Sequence, residues 1–453
     1  MTGVDKKQNA AIGVAVLLFA AFAVLPILED IYRGVFFVVV FPLVINAWWS
    51  YGTPKAMTDR VTQSLLLLVA YLVAGSFLLV DNRSENIRIL KSGAEVCVFV
   101  VAAHYAARYW LDNPLSSGRA LHLLVSISSA LALASWLFDD APAERLVGAG
   151  MLSHPVTGAS ILVTYWALGV ILHCISQRRN QSDYFLVFVA SLLTGFVLLL
   201  TRSRGPMLAA LVFGGLIIAS VLFYSNASMR RKLLAMCAAA TSFFIGFLLT
   251  PYGRAIANDL IVRKDSYRIE IFAEVSRNPP RNLWLGNGAT SDFPHSDAGL
   301  ALLAETGQVI EHAHNLLLGL YLSGGIVAGA MFLTSFLLIG RRILYCASPA
   351  PEKFLYGCIF LLVVLLNFSD NYTIVTPPAP MWVIFWLPTM FLVVATEPHR
   401  LRKQTFPLAT TPNADDCFDK NRWKNAQQAK QSNHDVHSRY SGGLGEPHSQ
   451  GHQ

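Results

Sequence analysis

The sequence predicts an all-α polytopic membrane protein, and two features of its composition support this prediction. Of its 453 residues, 54% are hydrophobic and only 14% are charged, and the mean hydropathy is +0.47. This balance excludes an ordinary soluble protein. The hydrophobic residues fall in separate runs, each long enough to cross a hydrocarbon core of about 30 Å. We therefore expect about twelve transmembrane helices.

The predicted spans follow one another through short connections, with one long connection before the tenth. They lie near residues 11–28, 34–49, 61–80, 89–107, 120–138, 155–175, 184–200, 204–224, 232–250, 313–339, 354–370 and 379–396. The fourth is the weakest because Lys91 and Glu95 interrupt it, although their i,i+4 spacing allows them to pair on a helix. Four parts are expected: transmembrane helices 1–9 in residues 1–250, a large periplasmic loop with amphipathic helices in 251–312, transmembrane helices 10–12 in 313–399, and a tail in 400–453.

The basic residues predict how the chain crosses the membrane. A net charge of +7 could indicate nucleic-acid binding, but the Lys and Arg residues form small groups between apolar runs. Groups such as Arg178–Arg179 and Arg230–Lys232 recur in alternate connections, which predicts that these connections and both termini are cytoplasmic. The polar tail is expected to be disordered and cytoplasmic. Membrane lipids, and no nucleic acid, are the partners expected from this pattern.

The connection between the seventh and eighth spans breaks the topology rule, because it places Arg202 and Arg204 on the outer side. Ser203 is a suitable N-cap, so the eighth helix is predicted to begin here. A helix N-terminus beside an arginine, with Gly205 permitting close approach, suits an anion such as phosphate. Alternatively, Arg204 extends to lipid head groups as a snorkelling side chain.

The long connection at 251–312 also carries basic residues on the outer side. Apolar side chains at i, i+3 and i+4 predict an amphipathic helix over Tyr267–Ser276, and this helix holds Arg268 as a second candidate for anion binding. A short apolar segment, Ala298–Leu303, is expected on the lipid surface. Weaker anion-binding candidates are Arg254, Arg263, Lys264, Arg277 and Arg281. Around a turn that receives no specific role lie Asp292, His295 and Asp297.

Two histidines, His312 and His314, precede the tenth span. On a helix, the 11-residue step from His314 to Gly325 is close to three turns, so both would share a face on which the glycine admits a neighbouring helix. Residues at i and i+2 do not share a helix face, and a metal would want further His, Asp or Glu ligands at suitable positions, so neither a metal nor a cofactor is expected. His314 is either a polar helix cap or a general base. Glu311 either orients its ring or complements the helix dipole.

These motifs, in this order, resemble the O-antigen ligase family and its relatives, the O-antigen polymerases and bacterial protein O-oligosaccharyltransferases. The family pattern of His, then Asn, Ser or Gln, nine residues and Gly is met by His314, Asn315 and Gly325. Ala328 stands where the family usually has Gly, Thr or Tyr. Ser203-Arg204-Gly205 looks like the arginine motif of the family, and Tyr267-Arg268 is similar to its loop arginine.

The resemblance implies a GT-C-like fold and a metal-independent, inverting glycosyltransferase of the inner membrane, active at its periplasmic face. The donor would be a glycan on undecaprenyl pyrophosphate, and the acceptor a hydroxyl of the lipid A core oligosaccharide. His314 would be the general base, and Arg204 and Arg268 would bind the pyrophosphate. Weaker site candidates are Arg202, Glu311, His312 and Asn315, with Gly205 and Gly325 as structural residues.

Three alternatives remain open from the sequence. An O-antigen polymerase or a protein O-oligosaccharyltransferase would use the same donor and the same motifs. A non-enzymatic transporter of lipid-linked glycan would place ionisable residues near the middle of the membrane. In this chain they lie mostly at the ends of the spans, which favours chemistry at a membrane surface.

Overall fold

The fold is that of a computed structural model, which describes residues 3–24, 29–51, 54–138, 145–147, 153–176, 180–262, 267–290, 292–369 and 371–397. Within these ranges all regular secondary structure is helical, as predicted. The tail predicted at 400–453, and the basic residues Arg263 and Lys264, lie outside the described ranges.

In the described residues of the first half of the chain there are nine α-helices. They are α1 (Gly3–Val24), α2 (Glu29–Val35), α3 (Phe41–Tyr51), α4 (Lys55–Thr58), α5 (Arg60–Leu79), α6 (Arg83–Asp112), α7 (Pro114–Phe138), α8 (Pro155–Ile175) and α9 (Gln181–Thr201). A π-helical segment, Phe36–Val40, continues α2 into α3.

The second half contains the long connection and, within the ranges that the structure describes, eight α-helices. They are α10 (Arg204–Tyr224), α11 (Ala227–Leu249), α12 (Pro251–Val262), α13 (Arg268–Arg277), α14 (Asp297–Thr306), α15 (Leu316–Tyr345), α16 (Ala350–Ser369) and α17 (Leu387–Ala395). A π-helical segment, Trp382–Trp386, leads into α17.

In the described part of the chain, eleven helical segments are long and apolar enough to cross a membrane, and they overlap the first eleven predicted spans. The chain is a multi-pass membrane protein. The twelfth predicted span corresponds to a shorter apolar helix, Trp382–Ala395. Its residues are buried throughout, so this helix is surrounded by the rest of the bundle. A helix that is apolar on every face is expected in such a central position.

The weakest predicted span is a long helix, α6, and its two interrupting charges do meet. Lys91 Nζ lies 3.7 Å from Glu95 Oε1 across one helical turn, as their spacing predicts. The Glu95 side chain is buried and the Lys91 side chain is exposed, so the lysine covers the carboxylate at the edge of the bundle. Pairing of this kind is what allows a carboxylate inside an otherwise apolar helix.

The long connection forms a small core of its own, which we call the loop core. It joins three elements and consists of Ile271 and Val275 of α13, Ala298 and Leu302 of α14, Ala313, and Leu322 of α15. We call the side of the bundle that carries the loop core the loop side. Because the loop core fixes Ala313, it also fixes the backbone on either side of that residue.

Two details of the long connection differ from the prediction. The apolar face expected on α13 is turned outward, since Ile269 and Phe272 are exposed while Ile271 and Val275 are buried. The segment expected on the lipid surface is divided, because Ala298 and Leu302 pack in the loop core and Leu300 and Leu303 remain exposed. The reason is that α13 and α14 pack against each other, so each turns to its partner a face that spacing alone does not identify.

Candidate functional site

His314 lies in a short non-helical segment, residues 311–315, directly before α15. Its backbone is left-handed with a φ of 50°, a conformation that residues with a Cβ atom rarely adopt. Its neighbour Ala313 is buried in the loop core. The prediction that His314 lies on the helix and shares a face with Gly325 is therefore wrong. Glu311 also lies outside the helix, so the alternative in which it shares a helix face with His314 does not apply.

Asn315 determines where α15 begins. Its side-chain oxygen accepts a hydrogen bond from Leu318 N at 3.1 Å, which caps the helix at Leu316. Its side-chain nitrogen donates to Phe368 O, near the end of α16, at 3.2 Å. One side chain thus sets the start of α15 and ties the turn that carries His314 to α16.

Gly325 interrupts α15 a few turns later. Its φ of 66° and ψ of −164° are accessible essentially only to glycine. A Cβ atom added at this position would lie 2.6 Å from Leu283 O. The absence of a side chain at Gly325 therefore allows close contact with the turn at residues 282–288 of the long connection. The prediction that a neighbouring helix packs at this glycine is wrong.

Backbone hydrogen bonds join this turn to α15 at the interruption. They run from Asn287 N to Leu322 O at 2.8 Å, from Gly288 N to Ser323 O at 3.0 Å, and from Ile326 N to Leu283 O at 2.8 Å. These groups of α15 would otherwise be left unpaired by the break in the helix. The turn therefore replaces the lost helical hydrogen bonds, which locks the long connection onto α15.

Arg202 and Arg204 lie at a sharp turn between α9 and α10. Arg202 is left-handed with a φ of 51°, and α10 begins at Arg204, as predicted. The Ser203 hydroxyl does not cap the helix and instead accepts a hydrogen bond from Arg145 Nη2 at 3.2 Å. Arg145 Nε donates to Thr201 O at 2.8 Å. Arg145 therefore holds both flanks of the left-handed residue.

Helix α12 holds the same turn from another direction. Arg202 Nη1 lies 3.2 Å from Asp259 Oδ2, and Arg204 Nη2 donates a hydrogen bond to Leu260 O. Arg202, a weaker candidate for anion binding, is thus engaged by a carboxylate of the protein itself. Arg204 is held by a neutral carbonyl, so its positive charge is not cancelled by that contact.

Arg268 reaches the arginine turn from α13. A Cβ atom added at Gly205 would lie 2.7 Å from Ser369 Oγ and 4.0 Å from Arg268 Nη2. Gly205 therefore permits close approach, here between the start of α10 and the end of α16. Because Ser369 follows Phe368, which anchors the His314 turn, the two arginines and the histidine turn meet at the end of α16.

A polar cavity of about 570 Å³ lies on one flank of the His314 turn. The His312 ring lines this cavity, with its centroid 4.1 Å from that of His314 and 4.5 Å from that of Tyr372. The carboxylates of Asp292 and Glu311 also line it. Burial raises the pKa of the Tyr372 phenol and the nearby Glu311 charge raises it further, so the phenol stays protonated and can donate a hydrogen bond at neutral pH.

An apolar cavity of about 740 Å³ lies on the other flank of the same turn. It is lined by residues of α15 from both sides of the break at Gly325, between Asn315 and Leu333. Its lining includes Phe272 and Val275 of α13, Leu317, Leu318 and Gly329 of α15, and Phe368 of α16. We call it the apolar groove, and its apolar lining suits a hydrocarbon chain.

Residues 189–333 match the family model described as O-antigen ligase. The resemblance to the O-antigen ligase family is confirmed over these residues. The matched segment contains the arginine turn, α13 with Arg268, and the unit from His314 to Gly325. The comparison with curated proteins gives no match. An O-antigen ligase domain indicates a glycosyltransferase-like enzyme of the ligase or polymerase type.

Within and around this O-antigen ligase domain, several residues of the site were not identified from the sequence. Arg145 lies in an otherwise acidic connection, and the topology argument that singled out Arg204 applies to it equally. No sequence feature of this kind marks Tyr372 or Ser369. Only the packing of the chain places Tyr372 beside His312 and Ser369 beside Gly205. Both lie beyond the matched segment.

Proposed function

We propose that the protein transfers O-antigen glycan from undecaprenyl pyrophosphate to the lipid A core oligosaccharide. The observation that supports this most directly is the meeting of the His314 turn with Arg204 and Arg268 at the end of α16, between the polar cavity and the apolar groove. A lipid-linked glycan requires these parts together: an apolar chain site, a cationic pyrophosphate site and a polar space for sugars.

The donor lies with its polyprenyl chain in the apolar groove and its pyrophosphate at the arginines. Guanidinium groups can bind phosphate oxygens with two hydrogen bonds, so Arg204 and Arg268 are suited to this anion. The start of α10 adds the partial positive charge of a helix N-terminus at the same place. The glycan then projects from the groove toward the His314 turn.

In the proposed reaction, one ring nitrogen of His314 accepts the proton of the acceptor hydroxyl. The oxygen attacks the anomeric carbon with inversion, and the bond from that carbon to the pyrophosphate oxygen breaks. The leaving group is a stable anion, so it needs neutralisation by Arg204 and Arg268 and no added proton. General-base assistance of this kind typically contributes about 10²–10⁴-fold to a rate.

The reaction takes place at the periplasmic face of the inner membrane, with both chain termini in the cytoplasm. The support for this orientation is the placement of basic groups in the connections on the opposite side of the bundle. The arginines of the loop side then have a reason to be there, because they serve a substrate instead of setting the topology.

The decisive experiment replaces His314 by Ala and measures attachment of O-antigen to lipid A core in cells that lack the native protein. We expect loss of ligation at an unchanged protein level. Arg268→Lys should also lower ligation, because a point charge does not reproduce the two-pronged phosphate contact. The control is Arg88→Lys in α6, since the Arg88 side chain is 66% exposed and pairs with Glu85 of its own helix. Undiminished ligation by His314→Ala would refute the proposal.

An O-antigen polymerase is the second candidate, because the family domain supports both activities. The phenotype of a deletion strain separates them. Without a ligase, long lipid-linked polymer accumulates, whereas without a polymerase, single repeat units appear on the core. The second pattern would reassign the protein to polymerisation with the same donor chemistry.

A further inference from the structure

The polar cavity and the arginine cluster differ in the sign of their charge. Two carboxylates, Asp292 and Glu311, line the cavity, and among its described lining residues there is no Lys or Arg. Arg204 and Arg268 do not line this cavity and lie instead at Gly205, near the end of α16. An anionic group is therefore favoured at one approach to His314 and disfavoured at the other.

The carboxylates of the cavity are not neutralised by strong cations of the described structure. Asp292 contacts only a histidine in the described contacts, His295, at 2.8 Å between Oδ2 and Nδ1. Glu311 is exposed and lies near the Tyr372 phenol, which is uncharged. The described lining of the cavity thus carries two carboxylates and no Lys or Arg, beside the rings of His312 and Tyr372, whose centroids lie 4.5 Å apart.

We propose that this cavity binds the acceptor sugar, and that Asp292 and Glu311 select a sugar that is neutral or carries an amino group over one that carries a carboxylate or phosphate. The inference rests on the proposed function, since it assigns the second substrate of the same reaction. The volume of about 570 Å³ falls within the range of about 300–1,000 Å³ usual for small-ligand sites. Carboxylates, the Tyr372 phenol and the Thr373 hydroxyl supply hydrogen-bond partners for sugar hydroxyls.

The position of His312 connects the cavity to the reacting base. Its ring lines the cavity, and its centroid lies 4.1 Å from that of the His314 ring at an interplanar angle of 46°. His314 itself does not line the cavity, so a hydroxyl of a bound sugar reaches it past His312. The donor pyrophosphate reaches the same turn from the arginine side. The opposite charges of the two approaches therefore keep the donor anion and the acceptor from exchanging places.

The test uses the full chain reconstituted in lipid nanodiscs with an undecaprenyl-pyrophosphate-linked glycan. Three acceptors are derived from the lipid A core glycolipid and differ only in the terminal sugar, which is a hexose, an amino sugar or a hexuronic acid. Initial transfer rates to each are measured by mass spectrometry. We expect the first two to be used about tenfold or more faster than the hexuronic acid, with a difference that narrows as the salt concentration rises.

In the variants Glu311→Gln and Asp292→Asn, the ratio of the transfer rate with the hexose or amino-sugar acceptor to that with the hexuronic acid should be smaller than in the wild type. The main cause should be faster transfer to the hexuronic acid. The matched control is Asp297→Asn, a carboxylate of the same connection that does not line the cavity and whose side chain is 57% exposed. Because each variant is judged by the ratio between its own acceptors, a loss of folded protein cancels.

Each result separates the two proposals. Equal use of the three acceptors by the wild type, or ratios that neither variant changes, would overturn the selection by charge. If transfer to the acceptors survives in His314→Ala, or if no acceptor is used at all, the proposed function itself fails. Transfer that requires His314 but ignores the charge of the acceptor overturns only the present inference.

Discussion

Replacing Gly325 by Ala tests whether the interruption of α15 matters for activity. The glycine lies at a φ of 66° and a ψ of −164°, where a residue with a Cβ atom is strained by about 1–3 kcal/mol. Rotation of the side chain cannot relieve this strain, because the added Cβ would lie 2.6 Å from Leu283 O, a backbone atom. The new side chain must therefore displace the turn at 282–288 or straighten the helix.

The magnitude follows from the contacts at the interruption. A strain of about 1–3 kcal/mol shifts the equilibrium between the docked and released turn by about five- to two-hundred-fold. Release also exposes the three backbone hydrogen bonds between the turn and α15, each worth about 0.5–1.5 kcal/mol. Because the turn holds the long connection that carries Arg268 and His314, we expect glycan transfer to fall about tenfold or more.

Two measurements check this prediction. Glycan transfer is measured in cells, and hydrogen–deuterium exchange of residues 282–288 is measured on the purified protein. The matched control is Gly340→Ala in the same helix, where an added Cβ has its nearest neighbour, in Phe360, at 3.9 Å. Transfer and exchange in Gly325→Ala that equal those of the control would refute the role assigned to the interruption.

Three further predictions concern the arginine turn, the helix cap and metal dependence. Arg145→Ala should raise the apparent KM for the lipid-linked donor about tenfold, because it frees the turn at Arg202. Arg145→Lys should restore part of the loss, and an unchanged KM in Arg145→Ala would contradict the positioning role of Arg145. Asn315→Ser keeps an N-cap but loses the hydrogen bond to Phe368 O. The free energy of unfolding should therefore stay within about 1 kcal/mol of the wild type while glycan transfer falls. Transfer equal to that of the wild type would show that this hydrogen bond is not needed. A chelator should leave transfer unchanged, and a loss restored by magnesium or manganese would show that the arginines do not suffice.

Several parts of the site could be predicted because they depend on local properties of the chain. Arg204 was a candidate because topology disfavours an arginine on its side, and the start of α10 was predicted at Ser203. Arg268 stood out from the other arginines of its connection only through the family resemblance. The position of the histidine relative to its helix was predicted wrongly. Helical spacing treats the residues from His314 onward as one continuous helix. The Asn315 side chain caps the helix, which therefore begins only at Leu316, after the histidine.

The role of Gly325 shows the same limit. A small residue in a transmembrane helix usually marks close approach of a second helix, so spacing favoured that interpretation. The actual partner is the backbone of Leu283 and Trp284, which belongs to a segment about forty residues earlier in the chain. The nine-residue interval between Asn315 and Gly325 therefore measures the helical segment between a cap and a break.

By itself, the sequence determined that this is a multi-pass helical membrane protein and where its long apolar helices run, and it proposed which arginines and which histidine are candidates for a role. These properties follow from the length of apolar runs, the placement of charges and the residue types at helix ends, all of which act over a few neighbouring residues. Only the tertiary structure decided that the end of α16 joins the arginines to the His314 turn, that Arg145 holds Arg202, and that a loop turn occupies the break at Gly325. Those contacts join positions tens to hundreds of residues apart, where close packing and the pairing of buried backbone groups select the partner and periodicity carries no information.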